Sequence, residues 1–569
     1  MLKAMLFDGL KTERDLEALK RQILRDDLLY ARFCAVRESI YQSNDKDDNT
    51  VVWRKIEPFL GTKKKKMPTN SEMLVFYKVL VDLGEQTSSR QVEQLLRKIK
   101  VRSNSGVAVV SLLTKPYACP GRCIYCPTEK EMPKSYLSKE PAAARALANN
   151  FDPYLQVVNR LRALVSNGHP VDKLEVIVIG GTWSFYEQEY QEDFIKEIFR
   201  ASNNFLAEKD KIIEKDFQTL EELQKINETA NVRVIGLSVE TRPDHINEEE
   251  LNRLRRYGVT KVEIGVQHLN DEVLEFNKRG IKTARVSEAT ELLRNTGFKI
   301  VYHMMPNLPQ SNLQMDVQMF KDLFSGKDFH PDMIKIYPCV VLQKTELYEL
   351  WKQGEFRPYS DQELTDILIS IKKDIPLYVR LIRVIRDIPA TYIMAGSKMS
   401  NLRQIIQQDQ KKNNWECRCI RCREIRNEEV LLDNYLLSRL EYETRTGKEI
   451  FLSFEHKNKK ENKCAAFCRL RLPDKNIVSN FSDSLGVLKG AAIIRELHTY
   501  GQLVCISEEG GQSQHRGFGR RLMEEAENIA RAAGYEKIAV ISGVGVREYY
   551  RSLGYELDRT YMVKSLIKN

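Results

Sequence analysis

The sequence predicts an α/β protein in which a parallel, partial (β/α) barrel precedes a smaller mixed α/β domain. A helical region lies ahead of the barrel, and a basic, cysteine-bearing linker joins the two domains. Three observations carry this expectation. Six apolar stretches alternate with amphipathic ones between residues 106 and 341, and a helix, strand, helix, strand series begins near Gly517. At 569 residues the chain is also too long for one core, so about three folded units are expected.

The first hundred residues read as helical. The stretch 12–33, TERDLEALKRQILRDDLLYARF, repeats Leu and Ile at three- and four-residue spacing behind Thr12 as an N-cap, and 88–100, SSRQVEQLLRKIK, does the same. A polar loop at 43–50 and the lysine run at 63–66 interrupt them. From about Val107 the texture changes. Strands are predicted at 106–113, 173–181, 232–240, 261–267, 299–305 and 333–341, with helices between them at 190–201, 247–258 and 283–297. Such alternation gives a parallel sheet with its chemistry at the carboxyl ends of the strands. The barrel is therefore placed at 101–375, the linker at 376–440 and the last domain, rich in shorter strands, at 441–569. Segments near 205–230 and 455–465 look like peripheral inserts.

Composition narrows the function. Hydrophobic residues make up 42% and charged residues 30%, which describes a soluble globular chain. No apolar run is long enough to span a membrane. The opening MLKAMLFDGLKTERD turns charged at once and offers no signal core, so a cytoplasmic location is expected. Eleven cysteines in that setting more often bind metal than pair as disulfides. The net charge of +10 is unevenly spread: residues 1–102 hold 21 basic against 15 acidic side chains, and 371–426 hold 13 against 5. These two regions, at +6 and +8, carry more than the whole excess and point to a polyanion, above all nucleic acid. A merely solvated face is the alternative for either one alone.

Residues 118–127 read ACPGRCIYCP and place Cys119, Cys123 and Cys126 at C-x3-C-x2-C spacing. Structural zinc takes four protein ligands, whereas a 4Fe-4S cluster has four irons to ligate. Three cysteines on one loop leave one iron open to chelate a small molecule and pass it an electron. The alternative is a zinc knuckle whose fourth ligand lies elsewhere. Later strands end in Gly180 and Gly181 (IGGTW), Glu240 and Arg242 (LSVETRPD) and Gln267 (IGVQHLN). Singly, each suits a turn or a solvated strand end. Together, the glycine pair admits a close backbone approach and Arg242 suits a carboxylate. His303, in YHMMPNLP, reads as a packed core histidine.

The cysteine spacing, at the end of the first strand of a parallel α/β unit, resembles the radical S-adenosylmethionine superfamily. The resemblance implies that the three cysteines hold the 4Fe-4S cluster and that Tyr125 flanks the adenine of S-adenosyl-L-methionine. It gives Gly180, Gly181, Glu240, Arg242 and Gln267 to the rest of that cofactor.

A second nucleotide-type pattern lies in QSQHRGFGRRLMEEAENIARAAG (512–534). Gln514, His515, Arg516, Gly517, Phe518 and Gly519 form a Q-x-x-G-x-G turn opening an amphipathic helix, behind a predicted strand at 500–506. Backbone N–H groups of such a turn hold pyrophosphate. The pattern resembles the GNAT acetyltransferase family and implies acetyl-CoA. GVREYYRSLGYEL (545–557) resembles the last helix and strand of that fold, in which either Tyr549 or Tyr550 would protonate the leaving thiolate. Core packing is the alternative for one of them. In the linker, CRCIRC brings Cys417, Cys419 and Cys422 together as a metal knot, read as zinc with an unassigned fourth ligand, holding the two domains together. Cys464 and Cys468 are read as packing only.

The two patterns in one chain, with VETRPD, GVQHLND, HMMPNLP, IKIYPCVV, LYELWKQGEFRPY, RLIRVIRDIPA, AGSKMSNLRQ and CIRCREI, resemble the catalytic subunits of the Elongator complex, the tRNA uridine acetyltransferases. The resemblance covers nearly all of the chain after about Asn70. Many members have a longer gap between the first two cysteines, whereas this chain keeps the general radical-enzyme spacing. It implies that acetyl-CoA and a radical from S-adenosyl-L-methionine install a carboxymethyl-type group on C5 of the wobble uridine. The partners implied are the tRNA anticodon stem-loop and either a second copy or Elongator-type accessory subunits. Lys115 would guide acetate or phosphate, although a surface lysine is the plainer reading. Lys63 to Lys66, Arg383, Arg386, Lys398, Arg403, Arg418, Arg421 and Arg423 would hold the RNA backbone. A protein lysine acetyltransferase with the metal domain as scaffold, and a non-catalytic RNA-binding subunit, are the competing readings. The intact cysteine triplet and the Gly180/Gly181 pair speak against the first, and the intact Gln514-to-Gly519 turn and cysteines against the second.

Overall fold

Alternating burial along the apolar stretches becomes a parallel sheet in the computed structural model. The structure describes residues 106–207, 211–215, 218–399, 401–425, 432–458, 462–478, 481–500 and 516–567. The helices expected at 12–33 and 88–100, the lysine run and, apart from Tyr500, the strand expected at 500–506 lie outside them. The chain divides into two units, 1–103 with 160–171 and 104–159 with 172–569. Of the first, the described part is the end of the helix Pro153–Ser166 and the turn after it. All that follows concerns the second.

The first sheet takes its strands in sequence order: β1 (Ala108–Leu113), β2 (Lys173–Ile179), β3 (Arg233–Thr241), β4 (Lys261–Gln267), β5 (Lys299–Met304) and β6 (Met333–Ile336). The last expected strand, 333–341, is cut short at Ile336. Pro338 cannot donate to a ladder, and the chain turns away to β7 (Val341–Leu342). The seventh place is filled by β8 (Arg380–Arg383), which lies beyond the expected boundary at 375. Its four residues, RLIR, read as basic linker because two of them are charged. β7 pairs instead with β9 (Ile393–Ala395) in a small antiparallel sheet. The parallel order β1-β2-β3-β4-β5-β6-β8 leaves β1 and β8 as edges, as a partial barrel requires.

The second sheet contains β10 (Tyr435–Thr444), β11 (Gly447–His456), β12 (Cys464–Pro473), β13 (Ala491–Thr499), β14 (Lys537–Val540), β15 (Glu556–Asp558) and β16 (Tyr561–Ser565). The order is β10-β11-β12-β13-β14-β16-β15, antiparallel except for the β13/β14 pair. Its first four strands have nine or ten residues, longer than expected. The helix, strand, helix, strand series is present as Arg516–Ala532, β14, Arg547–Arg551 and β15. Among the described residues no helix is long and apolar enough to cross a membrane.

A buried charged seam joins the sheets. Asp332, ahead of β6, accepts from Ile300 N at 2.8 Å and Arg495 Nη1 at 3.0 Å, and lies 3.4 Å from Arg469 Nη1. Arg495 also reaches Glu449 at 2.8 Å, and Arg471 donates to Asn295 Oδ1 at 2.7 Å. Gly543 is required where its loop meets β3: a methyl group there would lie 2.0 Å from Ile235 O. His498 stacks on Phe467, and burial pushes its pKa down to about 4. The unfolded chain therefore takes up this proton first, so the stability it controls is complete above about pH 6.5 and falls as pH drops toward 4. His498→Phe should remove this part of the acid sensitivity, on the order of 2 kcal/mol, in urea melts across that range.

Candidate active site

The cysteine loop leaves the carboxyl end of β1 and is tied down on several sides. Tyr186 OH bonds to Thr114 Oγ1 at 2.7 Å and Lys115 O at 2.8 Å, fixing its entry. Ile124 N donates to Asn277 O at 3.3 Å, and Ile124 O accepts from Leu347 N at 3.0 Å. Cys119 Sγ lies 3.7 Å from Thr182 Oγ1 and accepts from Gly121 N at 3.4 Å, while Arg279 Nη1 approaches Cys123 Sγ at 3.8 Å. All three thiols are half-buried, and burial pushes that of Cys126 up to about 11.

Sulfur spacing separates the two cysteine clusters. Four thiolates around one zinc at about 2.3 Å stand roughly 3.8 Å apart. Cys417, Cys419 and Cys422 all lie within 4.8 Å of one another, as one shared ion requires; Cys119, Cys123 and Cys126 do not form such a group. Each sulfur of the first triplet suits an iron of its own. Two further features fit a cluster carrying a chelated carboxylate. Gly121 leaves space where a methyl group would lie 3.6 Å from Cys119 Sγ, 3.7 Å from Cys123 Sγ and 2.7 Å from Arg242 Nη1. Arg242 spends Nε and Nη2 on Asp244, both at 2.9 Å, and its buried Nη1 is left without a partner.

The other expected residues stand on neighbouring strand ends. Gly180, at φ +140°, is required sterically, since a methyl group would lie 1.9 Å from Thr114 Oγ1; Gly181, at φ +98°, faces more open space. Gln267 adopts φ +73° where the β4/β5 register slips, and its carbonyl accepts from Met305 N at 2.7 Å. Glu240 accepts from Tyr136 OH at 2.6 Å and lies 3.8 Å from Lys335 Nζ. His303 is no apolar core residue: its Nε2 is 2.8 Å from Glu263, which also pairs with Lys335. Lys335 Nζ is paired with both carboxylates of the Glu240, Glu263 and His303 group. Sequence reasoning missed Glu263, Lys335, Tyr136 and Arg279. Glu263 and Lys335 had a signal, a charge in the interior of each of the apolar strands KVEIGVQ and MIKI. Lys115 is exposed, its ammonium 4.3 Å from the centre of the Tyr190 ring.

In the second domain, Gly517 and Gly519 fall in the first turn of the helix Arg516–Ala532. A methyl group on Gly519 would lie 2.7 Å from Tyr549 OH. Tyr549 is 41% exposed, while Tyr550 is buried edge-on against Tyr555. The Phe518 ring packs in the core between Tyr435 and Phe454, so its backbone is the part of it available to a cofactor, as the backbone reading of the turn expects. Gln514, His515 and the side chain of Arg516 lie outside the described residues.

The linker knot bonds to both sheets. Ile420 N donates to Val379 O at 2.9 Å, and Ile425 N to Cys464 O at 3.2 Å. Several basic residues expected to hold RNA are spent inside the protein. Arg423 is buried against Glu455 and Leu377 O, Arg386 pairs with Glu140, and Arg421 donates to Ile382 O. Arg403 turns toward Leu381 O and Ile382 O. Lys398 and Arg418 are exposed, as is Arg383, which pairs with Asp387.

Residues 113–323 match the radical SAM superfamily, and 331–412 its C-terminal domain. The chain is 43% identical over 514 residues to the tRNA uridine(34) acetyltransferase of Methanocaldococcus jannaschii, covering 88% of this chain and 90% of the relative. It is 37% identical over 507 residues to Elongator complex protein 3 of Danio rerio, covering 86% of this chain and 89% of the relative. The solved structure of the archaeal Methanocaldococcus infernus Elp3, lacking residues 1–46, superposes with a TM-score of 0.68 at 41% identity, covering 81% of this chain and 99% of that one.

Proposed function

Because the chain belongs to the radical SAM family of tRNA uridine(34) acetyltransferases and Elongator complex protein 3, we propose that it builds a carboxymethyl-type group on C5 of the wobble uridine of tRNA, drawing the carbon unit from acetyl-CoA. One observation carries the proposal: three half-buried cysteines of one loop, which do not gather as the linker triplet does, stand beside a buried guanidinium nitrogen with no partner among the described residues. A 4Fe-4S cluster on Cys119, Cys123 and Cys126, with S-adenosyl-L-methionine bound, supplies hydrogen-abstracting radical chemistry. Arg242 Nη1 is assigned to the carboxylate of that cofactor, Gly180 and Gly181 to the approach of its amino end, and Glu240 and Gln267 to its ribose. Lys115 is placed at the acetate or phosphate entrance. Exposed Lys398, Arg418 and Arg383 would contact the phosphates of the anticodon stem-loop, making binding salt-dependent.

In the second domain the turn at Gly517 and Gly519 would take the pyrophosphate of acetyl-CoA. Of the two tyrosines, Tyr549 is assigned the proton for the departing thiolate, because its hydroxyl lies over that turn. Tyr549→Phe should lower turnover of acetyl-CoA about a hundredfold with little change in KM, as loss of a general acid does. Tyr550→Phe should leave turnover near that of the unvaried enzyme.

The deciding experiment is anaerobic reconstitution with S-adenosyl-L-methionine, acetyl-CoA, a reductant and tRNA, with 5′-deoxyadenosine and modified wobble uridine as readouts and Cys123→Ala as control. Both products, formed only by the intact triplet, support the proposal. Neither product, with acetyl-CoA hydrolysis still stimulated by tRNA, would sink the radical reading. A zinc ion is assigned to Cys417, Cys419 and Cys422.

A further inference from the structure

Among the described residues, one buried cation next to the linker is not balanced by a carboxylate. Three lysines are buried among the described residues; Lys261 pairs with Glu175 and Lys335 with Glu263. The third, Lys372, is 1% exposed in the last turn of the helix Asp361–Asp374, which starts at a capping box of Ser360 and Glu363. Its ammonium has Cys422 Sγ at 3.6 Å as the bonding partner the structure describes. An ammonium buried without a counter-charge costs several kcal/mol.

Among the described residues the counter-charge comes from sulfur. Cys417, Cys419 and Cys422 lie within 4.8 Å of one another, too close for three thiolates to persist together without a cation among them. A divalent metal removes that conflict. Three thiolates, one divalent ion and one ammonium sum to zero, whereas a fourth thiolate would leave an uncompensated negative charge in a buried place. We infer that Lys372 is the outer cation of a three-thiolate divalent-metal centre, donating to Cys422 Sγ and leaving the fourth coordination position to a neutral donor. The inference rests on the zinc assignment proposed for this knot and adds a residue contributed by the barrel. Lys372 lies just ahead of β8, so its contact with Cys422 also ties the barrel helix to the linker. The metal would then hold the two domains together through the ion pair as well as through the backbone bonds of Ile420 and Ile425.

The test uses the full-length protein and metals alone. Zinc content and competition against a chromophoric chelator are compared for the unvaried chain, Lys372→Met, Lys372→Arg and Cys419→Ser. Lys372→Met keeps the length and loses the charge; its zinc affinity should fall about 10- to 100-fold, as for other outer-shell partners. Lys372→Arg should stay near the unvaried value. After chelation the order should reverse, with Lys372→Met melting at or above the unvaried protein, since removing an unbalanced buried charge relieves the metal-free state. Unchanged zinc affinity in Lys372→Met overturns the role of Lys372 and spares the zinc assignment. Equal zinc content in the unvaried chain and Cys419→Ser overturns both. Should Lys372→Met fail to fold, the cobalt(II) difference spectrum of the unvaried protein against Cys419→Ser still decides. A three-sulfur signature is expected, and a four-sulfur one would remove the charge balance on which the inference stands.

Discussion

Asp332→Ala should cost the fold about 3–5 kcal/mol, the usual penalty for breaking a buried ion pair from one side. Asp332 has 0% exposure, and its carboxylate accepts from the Ile300 backbone while facing both Arg495 and Arg469. Although burial opposes ionisation, the two guanidinium groups and the backbone donor hold its pKa below the ordinary value. Without Asp332, Arg495 keeps Glu449 and Arg469 keeps Glu496, so each buried arginine loses one of its two carboxylate partners. Asp332→Asn, which retains an acceptor, should lose less. Urea denaturation at neutral pH measures both, and an unchanged midpoint for Asp332→Ala would show that the seam is not held by charge. Because the folded-state pKa is lowered, this contribution is present above the unfolded carboxyl value near pH 4 and is lost as pH falls through the folded one.

Cys123→Ala should abolish cluster assembly, and Gly121→Ala should come close to it. A methyl group on Gly121 would enter the space between two of the sulfurs and press on Arg242 Nη1, which Asp244 prevents from swinging away. Iron per chain after anaerobic reconstitution should fall to background in the first variant and by most of its value in the second, with the secondary structure unchanged in circular dichroism. Arg242→Met separates the neighbouring functions: iron should be retained while S-adenosyl-L-methionine affinity drops at least tenfold, the loss of one charge-assisted hydrogen bond of about 1.5–3 kcal/mol. Full iron loading of Gly121→Ala would mean that the cluster lies on another side of the loop.

What the sequence alone determined was local. Six strands of the first sheet follow from apolar runs of four to nine residues, and C-x3-C-x2-C names its chemistry because the ligands share one short loop. β8 escaped notice because RLIR is too short and too charged to carry a periodic signal, and becomes a strand only by pairing with β6. Tertiary structure also decided which tyrosine faces the helix turn, since Tyr549 and Tyr550 are chemically alike and differ only in the side of a five-residue helix they occupy. It turned Arg386 and Arg423 from RNA contacts into internal partners, because composition counts charges without showing which are already matched. Sulfur spacing likewise separated two cysteine clusters that look alike as text. Asp332 and Arg495 stand 163 residues apart, and Lys372 and Cys422 stand 50 apart. Periodicity reaches one or two turns along a chain, whereas a buried charge is answered by whatever the fold brings beside it.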